Sequence, residues 1–266
     1  MSSPAPVDSV LHTIGRTPLI RLRRLVEPGM ADVVVKLEYF NPTGSYKDRL
    51  ALAMVEGAEK LDTMRAFGAE LEIVQSDGGK VTPALFDRFK ARIAELAQDP
   101  NNFYTDQFNN VDAVEGYAGM GRELFEQMGR VDGFVGMIGS GGMLVGVSQA
   151  LKQAGAHARI IALEPSTSPF LTTGKGGAHR VEGTAVGFWP PHLVKGAYDE
   201  AWAIDEHEGR AMAKRAAREE GIFAGTSTGL NIVAALALAR ELGPGKVVAT
   251  VACDTGLKYL AGDLYK

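Results

Sequence analysis

The stretch Phe134-Val135-Gly136-Met137-Ile138-Gly139-Ser140-Gly141-Gly142-Met143 decides the fold. Its first five residues suit a buried strand. A glycine-rich loop follows, and then a helix-period pattern over Gly142–Ala154. A strand, a glycine loop and a helix N-terminus in that order can cradle a phosphate. The first N–H groups of a helix lack intrahelical partners, and glycines let an anion come close to them. The string is neither a Walker A loop, which ends Gly-Lys-Ser/Thr, nor a full dinucleotide fingerprint. A tight strand-to-helix turn without a ligand accounts for it equally well.

The same alternation extends in both directions. Apolar runs at Leu19–Leu22, Val33–Leu37, Leu71–Val74, Phe134–Ile138, Ile160–Leu163 and Val247–Val251 predict strands. Helical patterns lie at Ser45–Ala58, Leu61–Phe67, Thr82–Ala97, Val111–Met128, Gly142–Ala154, Glu206–Glu219 and Ser227–Leu242, with Gly243 placed as a C-cap. This order predicts an α/β protein with mostly parallel sheets flanked by helices. The 266 residues suffice for one large domain or two lobes, and 45% hydrophobic with 23% charged residues is ordinary for a globular chain. A net charge of −4 offers nothing to attract nucleic acid or a membrane surface, and no apolar run is long enough to span a bilayer. Met1–Val7 has no signal-peptide core, so a cytoplasmic location is expected. The one cysteine, Cys253, excludes an internal disulfide and a cysteine-based metal cage, and reads as a buried thiol. Asp205-Glu206-His207-Glu208 fits a helix N-cap better than a metal cluster, so no metal is expected.

Two further strings carry chemistry. Asn41-Pro42-Thr43-Gly44-Ser45-Tyr46-Lys47-Asp48-Arg49 follows a strand and opens a helix, a position that suits a lysine used for imine chemistry. Taken alone, Lys47 is more simply a surface lysine beside an N-cap serine. Val247–Val251 runs into Ala252-Cys253-Asp254-Thr255-Gly256, where Thr255 offers a hydroxyl either to a ligand at a strand end or to the start of the last helix.

In combination, and in the order lysine, glycine loop, C-terminal hydroxyl, these strings resemble the cysteine synthase and cystathionine β-synthase family of fold-type II pyridoxal-phosphate enzymes. Ile14-Gly15-Arg16-Thr17-Pro18-Leu19, Gln107-Phe108-Asn109-Asn110, Glu164–Ser168, His179–Gly183 with Gly187 and Phe188, and Gly225-Thr226-Ser227-Thr228-Gly229 extend the likeness over nearly the whole chain. The resemblance implies a two-lobed architecture, with a large cofactor-binding domain from 1–38 and 111–266 and a small mobile substrate domain from 39–110. It implies that Lys47 holds pyridoxal 5'-phosphate and takes the substrate α-proton. Gly139, Ser140, Gly141, Gly142 and Met143 would bind the phosphate, and Thr255 would face the ring nitrogen. Gln107, Gly183 and Thr184 would contact an amino-acid substrate. The implied reaction is β-replacement on an O-activated serine, O-acetylserine with sulfide giving cysteine, in a homodimer.

The sequence departs from the family at four places. Met143 replaces a threonine, Leu257-Lys258 replace a Glu-Arg pair, and Arg16 stands where a smaller polar residue is common. The fourth is larger. A βαβ unit of roughly 30 to 45 residues, which carries the loop that grips the substrate carboxylate, is missing where Ala58 meets Glu59. Its loss would strip central strands from the small lobe and leave apolar faces and backbone groups without partners. The unit is therefore expected to belong to the protein, with the sequence closed over it. A relative using another leaving group or nucleophile, and a non-catalytic binding partner, stay open beside the main reading.

Overall fold

The computed structural model describes residues 7–54, 72, 74–75, 83–102, 104–184, 187–194 and 196–266. The strands are β1 (Leu19–Arg21), β2 (Asp32–Leu37), β3 (Gly133–Met137), β4 (Arg159–Pro165), β5 (Glu200–Ile204) and β6 (Val247–Ala252). The longer helices are α1 (Lys47–Met54), α2 (Pro83–Leu96), α3 (Asp112–Met128), α4 (Gly142–Gln153), α5 (Glu206–Arg215) and α6 (Thr226–Leu242). The sheet order is β1-β2-β6-β3-β4-β5, and only the β1–β2 pair is antiparallel. Among the described residues, 39–110 contribute α1 and α2 and no strand.

Strands β3 and β6 are buried along their whole length, as expected of parallel strands covered on both faces. Alternate residues serve two cores. Val33, Val35, Val135, Ile161, Leu163 and Val248 pack with Leu230, Ile232 and Leu236 of α6. Val34, Phe134, Ile160, Ala249 and Val251 pack with Tyr117 and Leu124 of α3 and with Leu144, Val147 and Leu151 of α4. Helix α6 is buried on nearly every side, which is why its sequence is apolar all round. It crosses α5 at paired glycines: a Cβ on Gly229 would lie 1.9 Å from the Gly209 carbonyl oxygen.

The expected strands at 19–22, 33–37, 134–138, 160–163 and 247–251 form within a residue or two. The expected strand Leu71–Val74 lies largely outside the described residues, as do the helix Leu61–Phe67 and the Ala58–Glu59 junction. Strand β5 was not expected. It is a half-exposed edge strand, and its apolar stretch Ala201–Ile204 is short and half alanine, a weak strand signal. Asp205 caps α5, its side chain accepting from the N–H groups of His207 and Glu208, and Gly243 ends α6 with φ +73°.

The sheet opens where a ligand is expected in such folds, at the carboxyl ends of strands beside the point where strand order reverses. Strand β3 pairs with β6 only at Gly133↔Val248 and Phe134↔Ala249. Beyond that the strands part. Thr250 donates its hydroxyl to the Val135 carbonyl at 2.9 Å. The buried amide of Asn231 accepts from the Met137 N–H at 2.9 Å and donates to the Val251 carbonyl at 2.8 Å. Asn231→Leu keeps the volume and removes both bonds. Orphaned buried groups of this kind cost on the order of 1–3 kcal/mol each, so a clear fall in the urea midpoint is expected. An unchanged midpoint would show that the divergence needs no polar bridge.

Candidate active site

The loop before Lys47 is fastened to the end of β6. Tyr46 N–H donates to the Cys253 carbonyl at 2.8 Å, Thr255 N–H donates to the Gly44 carbonyl at 2.9 Å, and Ser45 bridges Asp254. Gly44 has φ +78°, and a Cβ there would lie 2.9 Å from Thr255 Cγ2, so both conformation and space call for glycine. Asp48 accepts from the Thr43 N–H at 2.8 Å and also from its hydroxyl, which closes the turn. Helix α1 then starts at Lys47.

Arg49, two residues on, anchors that helix from beneath. Its guanidinium donates Nε to Glu38 Oε2 at 2.7 Å and Nη1 to Glu123 Oε1 at 2.8 Å, with a second bond to each carboxylate. Glu123 also takes Lys36 Nζ at 2.7 Å and the Arg16 N–H at 2.9 Å. Glu38 takes the hydroxyl of Thr17 and the amide of Asn41. The side chains of Lys36 and Glu38 are 0% exposed. Burial draws Lys36 below its ordinary value against the pull of Glu123 and Glu38. The same cluster holds the turn at Gly15 and Arg16, where φ is +89° and +49°, since Asn41 Oδ1 accepts the Gly15 N–H at 2.8 Å.

Lys47 opens into a cavity of about 220 Å³ with Met137, Gly183, Thr184, Ser227, Cys253 and Asp254 on its walls. A Cβ on Gly183 would stand 3.5 Å from Lys47 Nζ. Thr184 is buried and donates its hydroxyl to the Val181 carbonyl at 3.0 Å. Tyr46 and Met137 also line a small neighbouring cavity with Gly139, Ser140, Gly141 and Met143, so the lysine and the glycine loop adjoin. Among the described residues, the cap position of α4, Gly141, makes no side-chain capping bond. Gly141 precedes it with φ +86°, and the Ser140 hydroxyl accepts only a long bond from the Gly142 N–H, 3.4 Å. The Met143 side chain is buried, its methyl 2.8 Å from where a Cβ on Gly136 would sit, so it serves the core and adds no polar group. Thr255 Oγ1 accepts from the Leu257 N–H at 3.3 Å, which leaves its proton to be donated elsewhere.

Lys47, Gly183 and Thr184 thus share one cavity, the glycine loop lines its neighbour, and Thr255 lies beside Gly44 and Asp254. Gln107 is not among the described residues lining these cavities. It is exposed, and its carbonyl is 2.9 Å from His192 Nε2. Glu182, Ser227 and Tyr259 line the Lys47 cavity without having been singled out for it. The Ser227 signal was present in the Gly225–Gly229 string. Tyr259 carried none. Burial first, and then Asp254, push its hydroxyl far above the ordinary 10.0, so it stays protonated and donates to Asp254 Oδ2 at 2.9 Å. Cys253 is a buried thiol, 5% exposed, as expected.

An uncapped helix start behind a glycine loop suits a phosphate, and an amine one cavity away suits the aldehyde of the same molecule. The family model "Pyridoxal-phosphate dependent enzyme" matches residues 10–62 and 56–254, and the chain belongs to that family. Within it, the chain has the fold-type II architecture of the cysteine synthase and cystathionine β-synthase branch, and takes pyridoxal phosphate as cofactor. It is 35% identical over 308 residues to the cysteine synthase of Staphylococcus aureus, covering 98% of this chain and 97% of the relative. It is 33% identical over 310 residues to the probable cysteine synthase of Bacillus subtilis, covering 97% and 98%. The crystal structure of cysteine synthase from Entamoeba histolytica superposes with TM-score 0.88 at 27% identity, covering 100% of this chain and 93% of that one. That of O-ureido-L-serine synthase gives 0.86 at 31%, covering 98% and 96%. The alignments run longer than the 266 residues of this chain, and the two family matches overlap at 56–62, around the Ala58–Glu59 junction.

The buried charges carry a pH signature. Burial works to raise the Glu123 carboxyl, but Arg49 and then Lys36 outweigh it and hold it at about 2, below its ordinary 4.5. The stability this contributes is complete above pH 4.5 and is lost as pH falls toward 2. Glu123→Gln leaves Arg49 and Lys36 underbalanced. Removing one partner of such a pair costs about 3–5 kcal/mol, and the expected outcome is that loss at neutral pH with a shallower decline between pH 4.5 and 2. Parallel declines in urea midpoint for the two proteins would contradict it.

Proposed function

We propose that this chain catalyses β-replacement on O-acetylserine with sulfide, forming cysteine and acetate. The observation that carries the reading is the convergence of Lys47, the uncapped start of α4 and Thr255 at the open carboxyl ends of β3 and β6. Pyridoxal phosphate, when bound, supplies the electron sink for loss of an α-proton and a β-leaving group. The N–H groups of Gly139 to Met143, with the Ser140 hydroxyl, would hold its phosphate. The Thr255 hydroxyl, its oxygen already engaged by the Leu257 N–H, would present its proton to the ring nitrogen. A neutral hydroxyl there favours prompt departure of the leaving group over long storage of charge. The Lys47 amine takes the proton from the substrate α-carbon. Acetate leaves the β-carbon with its electron pair, sulfide adds at that carbon, and Lys47 returns a proton to the α-carbon. Gly183 and Thr184 line the substrate side, and Gln107 reaches the substrate only when the smaller domain closes.

The reading divides the chain into a cofactor-binding domain, 1–38 and 111–266, and a substrate domain, 39–110. It includes a homodimer and a cytoplasmic location. Among the described residues no helix is long and apolar enough to cross a membrane. A second reading keeps the same half-reaction with another nucleophile. It is favoured by Lys258, which lines the Lys47 cavity where the family carries a Glu-Arg pair, and by the likeness to O-ureido-L-serine synthase and to an O-acetylserine-dependent cystathionine β-synthase from Helicobacter pylori.

Absorption spectra of the purified protein supplied with pyridoxal phosphate test this. A visible band is expected, shifted by O-acetylserine, restored by sulfide, and absent in Lys47→Ala. A band shifted by O-acetylserine but not restored by sulfide favours the second reading. A folded protein without any visible band overturns both.

A further inference from the structure

Segment 178–184 serves two cavities. Glu182, Gly183 and Thr184 line the one that holds Lys47, while Ala178, His179 and Arg180 line another of about 600 Å³. The two have no lining residue in common. The size of the second falls within the roughly 300–1,000 Å³ usual for small-molecule sites, and no step of the proposed reaction uses it.

The lining carries both signs of charge. Glu206, at the start of α5, accepts from the Arg180 N–H at 3.2 and 3.3 Å and from the Thr167 hydroxyl at 3.3 Å. These are long bonds, and they leave the carboxylate with acceptor capacity to spare. Arg210 pairs with Asp263 at 2.9 Å. Arg180 lines the cavity and adds to the pull of Arg210 that holds the Asp263 carboxyl below its ordinary value, while no hydrogen bond or ion pair of the Arg180 side chain is found among the described residues. A plain anion would meet two carboxylates here, and a plain cation two guanidinium groups. A ligand with one charge of each sign matches both: its carboxylate meets a two-pronged donor and its ammonium meets an acceptor.

The cavity is also tied to the reaction site. Val181, between the two triplets, is buried in the core. The ring of His179, on the wall of the second cavity, accepts the Val181 N–H on Nδ1 at 3.3 Å. The Val181 carbonyl accepts the hydroxyl of Thr184, on the wall of the Lys47 cavity, at 3.0 Å. One residue thus joins a side chain from each cavity, which gives His179 a hydrogen-bonded route to Thr184.

We infer that the second cavity is an effector site for a zwitterionic amino acid, its carboxylate on Arg180 and its ammonium on Glu206, acting on the Lys47 cavity through segment 178–184. The site goes beyond the proposed function, and only the kinetic readout of its coupling rests on that function.

L-Methionine is the probe. It has both charged groups, no leaving group on its β-carbon and no free thiol. Calorimetric titration of the cofactor-loaded protein is expected to show one equivalent bound by the wild type that Arg180→Ala does not bind. At saturating O-acetylserine, where competition at the reaction site vanishes, L-methionine is expected to change kcat on the order of fivefold in the wild type. Arg180→Ala should not respond, and without methionine it should turn over like the wild type. Equal stoichiometry in the two proteins, or a wild-type kcat that ignores methionine, overturns the proposal. So does an Arg180→Ala protein that loses turnover without methionine, because Arg180 then belongs to the reaction itself. If the wild type makes no cysteine, the proposed function fails, and the titration still decides whether the site exists.

Discussion

Arg49 sits between two carboxylates, Glu38 from the turn after β2 and Glu123 from α3, and Lys36 balances the second of them. Taking four charges out of water is costly and is repaid only by near-complete pairing. Pairing here is dense: both forks of the guanidinium are used, and the carboxylates collect Thr17, Asn41 and the Arg16 N–H as well. The cluster therefore permits few arrangements of β2, α1, α3 and the Gly15–Arg16 turn. Lys47 lies two residues from its centre, and so inherits a fixed place without itself being part of the cluster.

The opposite wall of the site comes from a gap in the sheet. Strands β3 and β6 separate after two residue pairs, and Thr250 and Asn231 span the opening with side chains in place of a backbone ladder. The ends freed this way carry the glycine loop on one side and Cys253 to Thr255 on the other. The loop of Lys47 is stitched to the second of these by backbone bonds to Cys253 and Thr255. A rigid charge cluster and a bridged gap together bring three distant segments to one place.

Much of this was legible in the sequence, for physical reasons. Strands buried on both faces are mostly apolar, so β2, β3, β4 and β6 show as apolar runs despite the buried Lys36 and Glu164 within two of them, whereas the half-exposed edge strand β5 offers only Ala-Trp-Ala-Ile, half of it alanine. The glycine loop and the Lys47 string announced themselves through residue types that few other roles demand. The charge cluster did not. Lys36, Glu38, Arg49 and Glu123 are spread over nearly ninety positions, and each looks like an ordinary surface charge until the fold gathers them. Asn231 and Tyr259 were equally silent, because their importance lies in partners contributed by other strands and turns.

The place of β6 bears on how the chain is made. It is the last strand in sequence, residues 247–252, yet it lies between β2, residues 32–37, and β3, residues 133–137. On a ribosome, β2 has no inner neighbour until residues 247–252 have emerged, so the pairing with the longest sequence separation completes the sheet. Until then an apolar strand has an open edge, the kind of surface that joins to other chains. Nascent chains of this protein thus carry an open inner edge until residues 247–252 emerge, and loss of β6 would leave the centre of the sheet empty rather than trim its rim.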